Sequence, residues 1–232
     1  MDNQKTEEFA QKIKIKFKNL NLLRQVFVHR SFLNENIGFG LDHNERLEFL
    51  GDAVLELVVT EYLYKNYQNP EGELTNLRSA LVKGAMLSDV AHELEMEKYL
   101  YLSRGESKSA GKSRELILAN AFEALIGAIY LDQGYEVATD FIKSHLIKHL
   151  QQIIDKKLYL DPKSHLQELA QEQMNLTPAY RVISEHGPDH AKSFTVACFI
   201  GDKLVGEGSG SSKQIAESAA ASSSLEHWTE VS

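Results

Sequence analysis

Cysteine is almost missing from this sequence. Cys198 is the only one in 232 residues, which excludes an internal disulfide and any zinc site built on cysteines, and fits a reducing, cytoplasmic setting. No uninterrupted apolar run reaches the roughly 18 residues a membrane span needs. The start, MDNQKTEEFAQKIKIKFKN, is polar and charged, without the apolar core of a leader. Positive charge is also short. A formal net charge of −8 argues against a strongly basic nucleic-acid binder and mildly for a protein of cations or neutral ligands. The chain has no internal repeat, no GxxxxGKS/T loop and no nucleophilic Ser-His-Asp set. No histidine lies three residues after a glutamate, which disfavours a di-iron carboxylate bundle. His29 and His43 have no spacing that marks a base, so core or capping roles are expected for both.

What is present is enough for a core: 43% hydrophobic and 25% charged residues, over a length that fits a medium domain plus a small one. Up to residue 150 the apolar spacing is three and four, as in LNLLRQVFVHRSFL and ERLEFLGDAVLELVVTEYLYKNY. This predicts an all-α domain over 1–150, with a Gly/Ser/Lys loop at LSRGESKSAGKSREL. Residues 151–160 read as a linker, and Pro162 marks a new start. Beyond it, a short helix precedes a change to period two. Phe194, Val196, Cys198 and Ile200 share one strand face, and Gly201-Asp202 signals a hairpin. AYRVISEHG reads as a preceding strand, GEGSGSSKQ as a glycine-rich turn, and SSKQIAESAAASSSLEHW as a small-residue helix. The second part, 161–230, is therefore a small α+β domain of order α-β-β-β-α.

Two helices carry the candidate chemistry. In HNERLEFLGDAVLELV, Glu45, Glu48 and Asp52 fall within about 60° of one another, opposite Leu47, Leu50, Val54 and Val58. Alone, this is the solvated face of an amphipathic helix. LILANAFEALIGAIYL is different: it is apolar almost all round, yet holds Asn120 and Glu123. An ionised carboxylate there costs several kcal/mol unless a partner, a metal or a proton compensates it. An arginine such as Arg46 would serve. So would a hard divalent ion held by carboxylate and amide oxygens from both helices.

These segments, with HRSFLNEN and EGELTNLRSALV, resemble the nuclease domain of bacterial ribonuclease III, and the likeness covers nearly the whole chain. The resemblance implies Mg2+-dependent hydrolysis of double-stranded RNA by a homodimer in RNA processing, with Mn2+ able to substitute. Each active site would cut one strand, leaving 5′-phosphate and 3′-hydroxyl ends with a short 3′ overhang. Position by position, Glu48, Asp52 and Glu123 match the family's metal and catalytic acids. Asp52 and Glu123 take the catalytic roles; Glu48, Asn120 and Glu123 take the metal. Glu45 and Glu71 match acids near the dimer's subunit junction. Asn120 stands where the family most often has aspartate. Its amide oxygen can ligate Mg2+ without the charge, and the contrary expectation is a double-stranded-RNA binder whose nuclease this residue has silenced.

The second part resembles a double-stranded-RNA-binding domain. That likeness implies that Ser164, Gln167 and Glu168 touch one minor groove and Pro188, Asp189 and His190 a second. Ser212 and Lys213 would meet the phosphates between them, reading A-form shape rather than base sequence. Lys213-Gln214 replaces the family's usual paired lysines. From Asp161 onward five basic residues face ten acidic ones, net −5, so modest affinity with a shallow salt dependence is expected.

Overall fold

The computed structural model describes residues 3–108, 110–188 and 192–228. The chain divides after Tyr159 into two compact units, each with its own core. The first contains α1 (Asn3–Lys12), α2 (Leu20–Val26), α3 (Arg30–Glu35), α4 (Glu45–Asn66), α5 (Glu71–Val82) and α6 (Gly84–Glu93). It continues with α7 (Lys112–Gln133), α8 (Tyr135–His145) and α9 (Leu150–Asp155). Ile153 on α9 is buried in this unit's core, so part of the segment expected as a linker contributes packing here.

The helix that is apolar all round is the central one, as its composition demands. From Ile117 to Ile129, α7 buries every residue except Asn120 and Glu123, which are half-buried. Gly134 in left-handed backbone (φ 89°) stops it. Across α7 lies α4, also 22 residues long, with Leu47, Val54, Leu55, Val58, Val59 and Leu63 buried. The two backbones nearly touch. A Cβ on Gly51 would fall 1.8 Å from the Glu123 carbonyl oxygen, and one on Gly127 would fall 2.2 Å from that of Leu47. Buried Asn44 anchors the start of α4 by donating from Nδ2 to the Val26 carbonyl at 3.0 Å. Asp132, near the end of α7, accepts from the backbone N–H of Lys18 (2.7 Å) and Asn19 (2.8 Å), fixing the approach to α2.

The second unit runs α10 (Pro162–Met174), β1 (Pro178–His186), β2 (Ser193–Ile200), β3 (Lys203–Gly210) and α11 (Lys213–Glu226). Asp161 caps α10 ahead of Pro162 in its first turn. The sheet is antiparallel in the order β1-β2-β3, with bulges at Val182/Ser184 and Cys198/Phe199. Val196, Cys198 and Ile200 face the core with Leu166, Ala170, Val205, Ala216, Ala220 and Ala221. One expectation is corrected. GEGSG is not a turn but the end of β3, and only Ser211 and Ser212 connect it to α11. Its glycines let the helix lie on the strand. A Cβ on Gly208 would fall 2.1 Å from the Ala220 nitrogen, and one on Gly206 or Gly210 would meet α11 at 2.4 or 2.5 Å. Among the described residues no helix is long and apolar enough to cross a membrane.

Candidate active site and nucleic-acid interface

The crossing of α4 and α7 sets the site. Gly51 lies between Glu48 and Asp52, and Gly127 one turn beyond Glu123, so the bare contact of the helices brings their polar positions together. Glu48 and Glu123 are half-buried; Asp52 is exposed at the rim. Glu123 is pushed up to about 7, first by burial and then by the charges of Asp52 and Glu48. Burial also raises Glu48, with Glu45 and Asp52 adding to it, while a hydrogen bond from the Asn120 side chain opposes the rise. Asn120 therefore steadies Glu48 as a carboxylate, which an ionised aspartate could not do by donation.

Among the described residues no cation or hydrogen-bond donor acts on Glu123, and Arg46 is exposed. With Glu123 raised by burial and by two neighbouring carboxylates, the cluster would be eased by positive charge. No three acidic, histidine or cysteine side chains among the described residues gather tightly enough to enclose an ion by themselves. The available set is two carboxylates, one amide and the acid at the rim. That set suits a hard ion such as Mg2+, which keeps several waters among its ligands.

The other two acids lie apart from this cluster. Glu45 sits 3.4 Å from Arg30 and 3.7 Å from the His43 ring. It reaches the cluster only through its charge on Glu48. Glu71, exposed at the start of α5, lines a groove with Thr60, Tyr64 and Arg78, and its charge is not among those acting on Glu48 or Glu123. His29 caps α3, accepting from the Ser31 N–H. Sequence reasoning passed over Gly51 and Gly127. The available signal was a glycine inside each strongly helical pattern, where it costs about 1 kcal/mol against alanine unless packing requires it.

In the second unit Ser164, Gln167 and Glu168 are exposed on α10, and the Ser164 hydroxyl donates to Asp161 at 3.2 Å. Pro188 is exposed, while Asp189 and His190 lie outside the described residues. Ser212 caps α11 by accepting from the Ile215 N–H at 3.2 Å. Lys213 is exposed, with its Nζ 3.6 Å from Glu185, a residue that sequence reasoning did not single out.

Residues 19–150 match the Ribonuclease-III-like family, and residues 162–227 match the double-stranded RNA binding motif. The chain is 43% identical over 228 residues to Ribonuclease 3 of Desulforamulus reducens, covering 96% of this chain and 93% of that protein. It is 43% identical over 211 residues to Ribonuclease 3 of Streptococcus gordonii, covering 90% of each. Among solved structures, the ribonuclease III nuclease domain of Campylobacter jejuni, described for flexibility in a region involved in dimer formation, is similar. That match has a TM-score of 0.53 at 40% identity and covers 60% of this chain and 96% of that one.

Proposed function

This chain belongs to the ribonuclease III family and is a double-strand-specific endoribonuclease; from that premise we propose that Glu48, Asp52, Asn120 and Glu123 form its Mg2+-dependent cutting centre. The observation that carries this reading is the meeting of Glu48, Asp52, Asn120 and Glu123 where α4 crosses α7, with half-buried Glu123 facing two carboxylates that raise it and no cation paired to it among the described residues. Glu48, Glu123 and the Asn120 amide oxygen would hold the ion, and Asp52, at the solvent edge, would orient the attacking water. When bound, Mg2+ lowers the pKa of that water and offsets charge on the phosphorane-like transition state and the leaving 3′ oxygen. Mn2+ substitutes. The products carry 5′-phosphate and 3′-hydroxyl ends.

A homodimer supplies two such centres, one per strand, leaving a short 3′ overhang. Phe49 (82% exposed), Leu57 (57%) and Tyr64 (77%) follow one another along α4 beside the acid row. Such a stripe on a helix suits burial against a second copy. The dimer formation described for the similar C. jejuni domain points to the same occupant, and Glu45 and Glu71 would stand near the junction. In the second unit, Ser164, Gln167 and Glu168 reach one minor groove, the Pro188-Asp189-His190 turn a second, and Ser212 and Lys213 the phosphates between. The single reduced, buried Cys198 suits work in the cytoplasm.

A long RNA duplex incubated with Mg2+ or with EDTA tests the centre, using the unaltered chain, Asn120→Asp and Glu123→Gln. Metal-dependent cutting by the unaltered chain, lost in Glu123→Gln with binding kept, is the expected result. Binding without cutting, restored by aspartate at 120, would remove Asn120 from the ligand set and favour a duplex binder with a silenced nuclease.

A further inference from the structure

The second unit handles its scarce positive charge in an unexpected way. Lys213 opens α11, and its Nζ lies 3.6 Å from Oε1 of Glu185. Lys192, just before β2, places its Nζ 3.4 Å from Oε2 of the same carboxylate. Both ammoniums also stand over the Phe194 ring, at 5.7 and 6.0 Å from its centroid. Phe194 is the partner of Glu185 in the β1–β2 register, so the sheet holds ring and carboxylate side by side. One carboxylate thus bridges two ammonium groups through its two oxygens, above one aromatic face.

Two non-bridging phosphate oxygens of a nucleic-acid backbone would make the same pair of contacts. A lysine already neutralised from within has less charge to offer such a phosphate, and the phosphate approaching it meets the Glu185 charge as well. We propose that Glu185 is a built-in competitor for backbone phosphate, holding Lys192 and Lys213 and setting both the affinity of this unit for duplex RNA and its salt dependence. The inference rests on the reading of this unit as the RNA-binding part of the enzyme. It locates the damping of affinity in one side chain, beyond the net charge of −5. Exposed ion pairs are individually weak, so the competition is readily reversed by a polyanion and acts as a bias rather than a lock.

The test is equilibrium binding of a fluorescent RNA duplex of about 30 base pairs to the full chain in EDTA, over a salt series. The variants are Glu185→Gln, Glu185→Ala, Lys192→Gln/Lys213→Gln, and the triple variant Glu185→Gln/Lys192→Gln/Lys213→Gln, each checked by its melting curve. Both Glu185 variants should tighten binding by roughly three- to tenfold at the lowest salt. They should also steepen the slope of log K against log salt by up to about 0.9 for each further phosphate that Lys213 or Lys192 then neutralises. The lysine variant should bind more weakly, and in its background the Glu185 change should keep only the small residual effect of removing one negative charge near the phosphate. Unchanged or weaker binding by both Glu185 variants, beside an unaltered chain that binds, overturns the proposal and leaves the RNA-binding reading standing. A Glu185 effect of undiminished size without the lysines overturns it too. Failure of the unaltered chain to bind any duplex brings down the RNA-binding reading together with the proposal.

Discussion

Glu123 and Asp132 both sit on α7, and the two carboxyls move in opposite directions for reasons visible in their surroundings. Burial and the charges of Asp52 and Glu48 raise Glu123 to about 7. Burial pushes Asp132 up as well, but donors from the Lys18 backbone, the Gln133 side chain and the Asn19 backbone outweigh it and leave the group below the ordinary range. The consequences for stability have opposite signs. Between about 4.5 and 7 the folded chain holds a proton on Glu123 that the unfolded chain has lost. In EDTA, stability from this group therefore falls as pH rises through that window. Glu123→Gln should remove that fall: in melting curves it should match the unaltered chain near pH 4 and exceed it near pH 8. Added Mg2+ should raise the melting temperature of the unaltered chain more at pH 8 than at pH 5, because the ion competes with the proton. Asp132 contributes stability that is present above its unfolded pKa and lost as pH falls below it. Asp132→Ala leaves two backbone N–H groups without their acceptor and should cost about 1–3 kcal/mol in denaturant titrations.

At the scale of elements, the helix pair that carries the acids depends on two missing side chains. A methyl on Gly51 would enter the Glu123 carbonyl, so Gly51→Ala must push α4 off α7. Overpacking of this kind costs about 1–3 kcal/mol. The same shift separates Glu48 and Asp52 from Glu123, so cutting should fall on the order of a hundredfold even where the variant stays folded. Denaturant midpoints and initial cleavage rates, measured on one preparation, check both. Retained full activity would show that the acids need no such close crossing. The three glycines of β3 follow the same rule, letting α11 lie on the strand. Part of this was legible. The period of three and four around α4, the all-round apolar α7 and the period-two face of β2 each declare their element, and the structure has each of them. GEGSG misled because glycine marks both a turn and a strand approached closely by another backbone. Only the small-residue face of α11, packed onto it, separates the two meanings.

The whole molecule consists of two units with separate cores, which predicts separable functions. Removing residues after Tyr159 should weaken duplex binding yet leave Mg2+-dependent cutting in low salt, since every member of the acid cluster lies in the first unit. A folded, dimeric fragment that never cuts would count against assigning the chemistry to those acids. Phe49→Asp, placing a charge in the exposed stripe of α4, should sediment as monomer in analytical ultracentrifugation where the unaltered chain sediments as the proposed dimer, and should reduce double-strand cutting. By itself the sequence determined the two-part organisation, the fold class of each part and the helical or extended state of most segments. Those follow from local periodicity and from what an apolar helix must do in water. It also singled out Glu123, because a carboxyl amid apolar residues needs compensation wherever it lies. The tertiary structure decided which groups act on that carboxyl, why Gly51 and Gly127 carry no side chain, and that Lys192 and Lys213 share Glu185. These facts depend on distances between residues far apart in the chain, and Coulomb and steric energies are set by such distances, not by sequence spacing.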